Sequence, residues 1–221
     1  MPTPAPSSSW TARRLSTDIR EPAETVETLE PAEELSWFSL PMTKALIITS
    51  KYKLANKWLT LKVENTKLSY VDIGEVYGLM MLLIIVGEDL PDPYNVINVT
   101  DIWEDISNSN IVKENNYGKL LVIMDALGIK IPQGRWLGLI KKEENFYNVN
   151  ISNAALRYQL REAVEGKRSG EVVMLSLLML SNGTKKTNYL DLYEVIRSLR
   201  LVGLQPEAKK VAIEASLSLI N

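Results

Sequence analysis

YLDLYEVIRSLRLVGLQPEAKKVAIEASLSLIN, residues 189–221, reads as two helices joined by a tight turn. The first runs Tyr189–Val202, the turn is Gly203-Leu204-Gln205, and the second runs Pro206–Ile220. Leu192, Val195, Ile196, Leu199 and Val202 recur at i, i+3, i+4, i+7 and i+10, which sets them on one face of a 3.6-residue period. Asn188 is a suitable N-cap, and Asp191 lies in the first turn, where the helix dipole favours negative charge. Gly203 follows the last apolar position and can take the left-handed conformation that ends helices. Pro206 suits a first helical turn, because the N–H it lacks would have no partner there. In the second helix Ala208, Val211, Ala212, Ala215 and Leu219 form a face of mostly small residues. Such a face admits a close neighbouring helix. One hairpin cannot bury both of its faces, so the rest of the chain is expected to supply neighbours.

The spacing resembles the tetratricopeptide repeat. Leu192, Val195 and Leu199 stand in the first helix, Gly203 at the turn, and Ala208, Ala212 and Ala215 in the second helix. It departs from that pattern where aliphatic residues replace the usual Trp and Tyr, where Ile196 holds the small position of the first helix, and where Ile220 replaces the closing Pro. The resemblance covers this one hairpin. It implies peptide or protein binding as a class, with no particular partner.

Composition narrows the chemistry. The chain has 221 residues, 46% of them apolar, which suffices for one sizeable core or a short helical array. Net charge is −2, and Lys and Arg do not gather into the basic footprint of a duplex nucleic-acid binder. The absence of Cys removes disulfides, thiolate nucleophiles and thiolate metal sites. The absence of His removes Ser–His–Asp catalysis and imidazole ligands. Carboxylate, Lys or Tyr mechanisms stay open. The longest apolar stretches, 76–86 and 172–180, fall well short of the roughly 20 residues that cross a bilayer. Both are expected to be buried core helices. No apolar signal core opens the sequence. The compartment is left open, with the cytoplasm as default.

Residues 1–41 differ from the rest of the chain. Pro/Ser/Ala-rich residues 1–9 lead into Arg13, Arg14 and Arg20, then a Glu-rich run punctuated by Pro22, Pro31 and Pro41. Apolar residues are too sparse to offset ordering entropy, so a disordered arm is expected. The Arg/Ser-rich start has some transit-peptide character, against which Asp18 and the acidic run argue. Trp37 and Phe38 are candidates to dock the arm. Residues 42–221 are expected to form the helical domain. Ala45, Ile48, Tyr52, Ala55 and Leu59 keep helical spacing, and residues 59–64 alternate as a short strand would, helix being preferred. Asp72 is read as the cap of an apolar helix ending near Gly87. Helices are further expected at 101–107, 117–127, 136–140, 153–165 and 171–181, with a loop at 141–152 or a weak strand around 146–151.

Three apolar segments align. Gly74-Glu75-Val76 and Gly170-Glu171-Val172 each open a stretch closed by Gly thirteen residues later, at Gly87 and Gly183. Tyr117–Gly128 shares its exit with the first: Gly87 to Pro91 parallels Gly128 to Pro132, an offset of 41 residues. That offset lies within the range of helical-hairpin arrays.

Few motifs suggest a ligand. Glu88, Asp89 and Asp92 are acidic but lack calcium-loop spacing, and read as a solvated turn. The basic, Gly-flanked loops 166–170 and 183–187 lack phosphate-loop spacing, and read as links. Trp103 and Trp136 could line a ligand groove, and read in preference as core anchors. Asn98, Asn150 and Asn182 open formal glycosylation sequons of the kind an Asn-rich chain contains by chance. No catalytic, cofactor-binding or metal-ligating residue is assigned, and no cofactor is expected. The expected fold is all-α: about seven to nine helices in antiparallel pairs, stacked as a short α-solenoid behind the arm. The expected role is a non-catalytic scaffold for a protein or peptide partner. Two alternatives are a structural subunit of a homo- or hetero-oligomer, which an exposed patch at Ala208, Ala212 and Ala215 would reveal, and a carboxylate-based enzyme or enzyme-associated domain.

Overall fold

The computed structural model describes residues 30–65, 70–90, 94–108, 116–140 and 151–220. Among these residues it is all-α, without strands. A 3-10 turn at Glu33–Phe38 leads into ten helices: α1 Ser39–Ile48, α2 Tyr52–Asn65, α3 Tyr70–Val86, α4 Val96–Asn108, α5 Asn116–Ala126, α6 Gln133–Ile140, α7 Ile151–Glu165, α8 Ser169–Met179, α9 Tyr189–Leu201 and α10 Gln205–Ile220. The arm at 1–29, most of the 141–152 loop, Asp92 and Asn150 lie outside the described residues.

Order begins before the expected boundary at residue 42. Ser39 and Leu40 are buried in α1, and Leu35 and Phe38 pack against the core, while Trp37 stays exposed. Pro41 sits in the first turn of α1, where its missing N–H breaks no helical bond. The helix expected through Ala45, Ile48, Tyr52 and Ala55 is instead two. Ser50 takes φ +63, and its N–H and that of Lys51 return to the carbonyls of Ile47 and Leu46 at 3.1 and 2.8 Å. This is the paired cap that closes a helix. The break resets the phase, so α1 buries Met42, Thr43, Leu46 and Ile47 and leaves Ala45 and Ile48 outside. Residues 59–64, ambiguous by alternation, are helical within α2. Asp72 lies inside the first turn of α3 rather than capping it. At α4 the start moves back to Val96, because Asn95 Oδ1 accepts from the N–H groups of Ile97 and Asn98 while Asn98 Oδ1 accepts from that of Asn95. Lys167, at φ +52, rather than Gly166, ends α7.

α3 is the centre of the core. Val76 and every residue from Leu79 to Val86 are buried, under α1, α2, α4 and α10. An all-round apolar helix needs that central place. The terminal hairpin joins the two ends of the fold: α10 lies on α9, α3 and α5, and α9 lies on α5, α7 and α8. In a linear stack each unit touches only its neighbours in sequence. Here the last two helices reach back across the chain, and Ala208, Ala212 and Ala215 are buried in that contact. The hairpin also closes the ends of α3 and α5. Lys209 Nζ donates to the Val86 carbonyl at 2.7 Å, and Arg200 Nε donates to the Ala126 carbonyl at 2.9 Å. Gly87 and Gly128, at φ +85 and +81, follow those carbonyls in matching caps. The two exits that align in sequence therefore share a geometry. Gly183 does not: α8 stops at Met179, and the chain makes further turns before reaching it.

Candidate interaction surface

The sequence predicts α8 buried like α3, and the structure differs. Val172 and Ser176 point inward, one turn apart, toward the α7 and α9 contacts. Met174, Leu177 and Leu178 point outward, 62%, 62% and 57% exposed. The physical reason is the number of neighbours. α3 is covered on several sides, whereas α8 packs on α7 and α9 and its remaining face meets solvent. Val173, Leu175 and Met179 are half-buried at the margins.

The platform under α8 is held by ion pairs. Arg157 Nε donates to Asp191 Oδ1 at 2.6 Å, with Asp191 almost wholly buried. One turn along, Arg161 engages Glu194 through both Nε and a terminal nitrogen. These two arginines of α7 thus meet two acids of α9 spaced i, i+3 on one face. The hydrogen bond to Glu194 and its charge raise the Arg161 guanidinium above the ordinary value. Tyr193 ties α9 to α5. Burial, then the Asp125 carboxylate, which accepts its hydrogen bond, raise its phenol above the ordinary value. Arg197 lies over the same ring, 5.9 Å from its centroid. Tyr77 is raised likewise by burial, then by Tyr94 packed edge-on at 6.4 Å.

The basic loops that read as plain links in the sequence precede and follow α8 in the chain. Lys167 and Arg168 precede α8, Lys185 and Lys186 follow it, and all four are exposed. Arg168 Nε donates to Glu171 at 2.5 Å. The second loop is anchored by Thr184, whose hydroxyl donates to Glu214 Oε1 at 3.0 Å, and by Thr187, which donates to the Gly183 carbonyl at 2.8 Å.

Other sequence candidates fall elsewhere. Trp103 is buried and Trp136 half-buried, both against the core. Asp89 is exposed, and its carbonyl accepts from Asn56 Nδ2 at 2.9 Å in an open cleft shared with Glu30, Lys57 and Glu64. A smaller cavity of about 190 Å³ brings Glu165 and Glu194 together with Arg161 and Arg197. Both Glu194 oxygens already receive Arg161. Ala208, Ala212 and Ala215 show no exposed patch. The exposed face of α8 escaped the sequence reading, because Met and Leu serve a core and a docking surface equally well. The signal that could have marked it is the basic loop at each end, a pattern α3 lacks. No family model, curated protein or solved structure matches the chain.

Proposed function

We propose that the protein is a non-catalytic helical module that docks a helix of a partner protein on α8. The observation that carries this reading is the Met174–Leu177–Leu178 face: three large apolar side chains at i, i+3 and i+4 on a helix packed on α7 and α9, all more than half exposed. Single exposed apolar residues are ordinary, but a contiguous patch of them marks interaction surfaces. Fully burying each such side chain is worth about 1.5–3 kcal/mol, so a partner that covers all three gains several kcal/mol before its ordering cost. The i, i+3, i+4 pattern matches the way one helix receives another.

The tetratricopeptide-like character of α9 and α10 belongs to the same proposal. What supports it is the close packing through Ala208, Ala212 and Ala215; it would make the hairpin the internal scaffold that presents α8. The burial of that small-residue face weighs against assembly through it. The occupied oxygens of Glu194 weigh against hydrolysis by the carboxylates of the small cavity.

The test is fluorescence anisotropy with a pool of labelled amphipathic helical peptides, using the full chain and its Leu177→Asp and Met174→Asp variants. Binding by the wild type that both variants lose, with unchanged circular dichroism melts, is expected. Binding that both variants retain would place the docking surface elsewhere and overturn the reading.

A further inference from the structure

The charges around α8 specify what its partner looks like. We infer that the occupant is an amphipathic helix carrying acidic residues at both ends of its apolar stripe. The inference rests on the docking reading above and deepens it.

α8 has eleven residues, so its axis is about 16 Å long. Lys167 stands before its first turn, and Lys185 and Lys186 stand beyond its last. All three are exposed, and no carboxylate pairs with them among the described residues. Arg168 differs, since Glu171 holds its guanidinium. The only acidic side chain within α8 is that Glu171, already paired. The bare face is thus apolar through Met174, Leu177 and Leu178, with Glu171 at its first turn held by Arg168, and the chain carries Lys167 before the helix and Lys185 and Lys186 after it. A partner helix lying along α8 gains most when Leu, Ile, Met or Phe recur at i, i+3, i+4 and i+7 and Asp or Glu flank them. Complementary charge of this kind steers encounter and sets the partner's register.

A second copy of this surface is a poor occupant. Antiparallel pairing of two α8 helices sets Lys167 of each beside Lys185 and Lys186 of the other, and parallel pairing sets each cluster beside itself. Both arrangements oppose like charges. An anionic bilayer would also attract an apolar face with basic flanks. A bilayer, however, is indifferent to where the cations fall, and interfacial helices carry them along the polar face. Here the opposite face of α8 is packed on α7 and α9, and the cations lie outside the helix, Lys167 before it in the chain and Lys185 and Lys186 after it.

The test uses the full chain and labelled helical peptides of about sixteen residues, long enough to span α8. They share one apolar stripe and differ in ending on Glu, Gln or Lys. Fluorescence anisotropy is expected to give about tenfold tighter binding for Glu ends than for Lys ends, a gap that closes at high salt. The triple variant Lys167→Glu, Lys185→Glu, Lys186→Glu is expected to reverse the order; its sites are exposed, and circular dichroism checks that it folds. Equal binding of all three peptides, still lost in Leu177→Asp, would overturn the acidic partner while leaving the docking reading intact. Failure of every peptide to bind would overturn both. Co-sedimentation with phosphatidylserine vesicles without peptide binding would assign the face to a membrane instead. A dimer in light scattering that Leu177→Asp dissolves would assign it to self-association.

Discussion

Gly128 and Gly203 have nearly the same backbone, φ +81 and +86, and different surroundings. A Cβ at Gly203 would meet nothing within 4 Å, whereas one at Gly128 would stand 2.8 Å from a terminal nitrogen of Arg200. Gly203→Ala should therefore cost only left-handed strain, about 1 kcal/mol. Gly128→Ala should cost more, about 2–3 kcal/mol, because Arg200 must give up its bond to the Ala126 carbonyl to make room. In an Arg200→Ala background the Gly128→Ala increment should fall toward the Gly203 value, which urea melts arranged as a double-mutant cycle would measure. At this scale the sequence was partly legible. Gly203 and the Asn188 cap, whose Oδ1 accepts from the Leu190 N–H at 2.8 Å, announced themselves by residue type. Ser50 and Lys167 did not, since nothing in a Ser or Lys marks it for positive φ. Their helices ended because the next segment had to turn back onto the core.

Helices were legible as elements, with ends displaced wherever a side chain rather than a Gly or Pro set them. Asn95 advanced α4 by five residues over the expected start at 101, and the hidden break at Ser50 turned one expected helix into two. Periodicity also misjudged α8. An apolar helix states that it wants cover, and says nothing about whether that cover lies in its own chain. The pairing of α7 with α9 was invisible for another reason. Arg157 and Arg161 reach acids 34 and 33 residues away, and no local pattern reports such a match. Arg157→Met should be destabilising by about 2–4 kcal/mol, because Asp191 would keep its burial and lose this cation. Arg157→Lys should recover little of that, a point charge replacing the planar fork. Thermal melts of the two variants would decide it. Loss of under about 0.5 kcal/mol in Arg157→Met would mean that the Arg157–Asp191 pair adds little to the hold of α7 on α9.

For the molecule as a whole, the terminal hairpin is the closing piece. α10 covers α3 and α5, α9 carries α7 and α8, and two cations from the pair finish the helix ends of α3 and α5. Ala212→Glu should accordingly unfold the entire protein in one transition rather than loosen its last helix. A buried charge there, with no room for the side chain, should cost about 4 kcal/mol or more. A calorimetric scan showing an unchanged melting temperature, or a second transition at the wild-type position, would contradict this architecture. The sequence carried the all-α class and the internal logic of this hairpin. It did not carry where the hairpin lies, because small-residue faces accept many neighbours and the actual ones are far away along the chain.

The bond from Lys209 to Val86 spans 123 residues. On a ribosome adding about 5–20 residues per second, α10 is made roughly 6–25 s after α3. Throughout that interval α3, the most apolar helix among the described residues, has been synthesised without the α10 part of its cover. The nascent chain thus leaves the α10-facing side of α3 uncovered until the hairpin that packs on it has been translated.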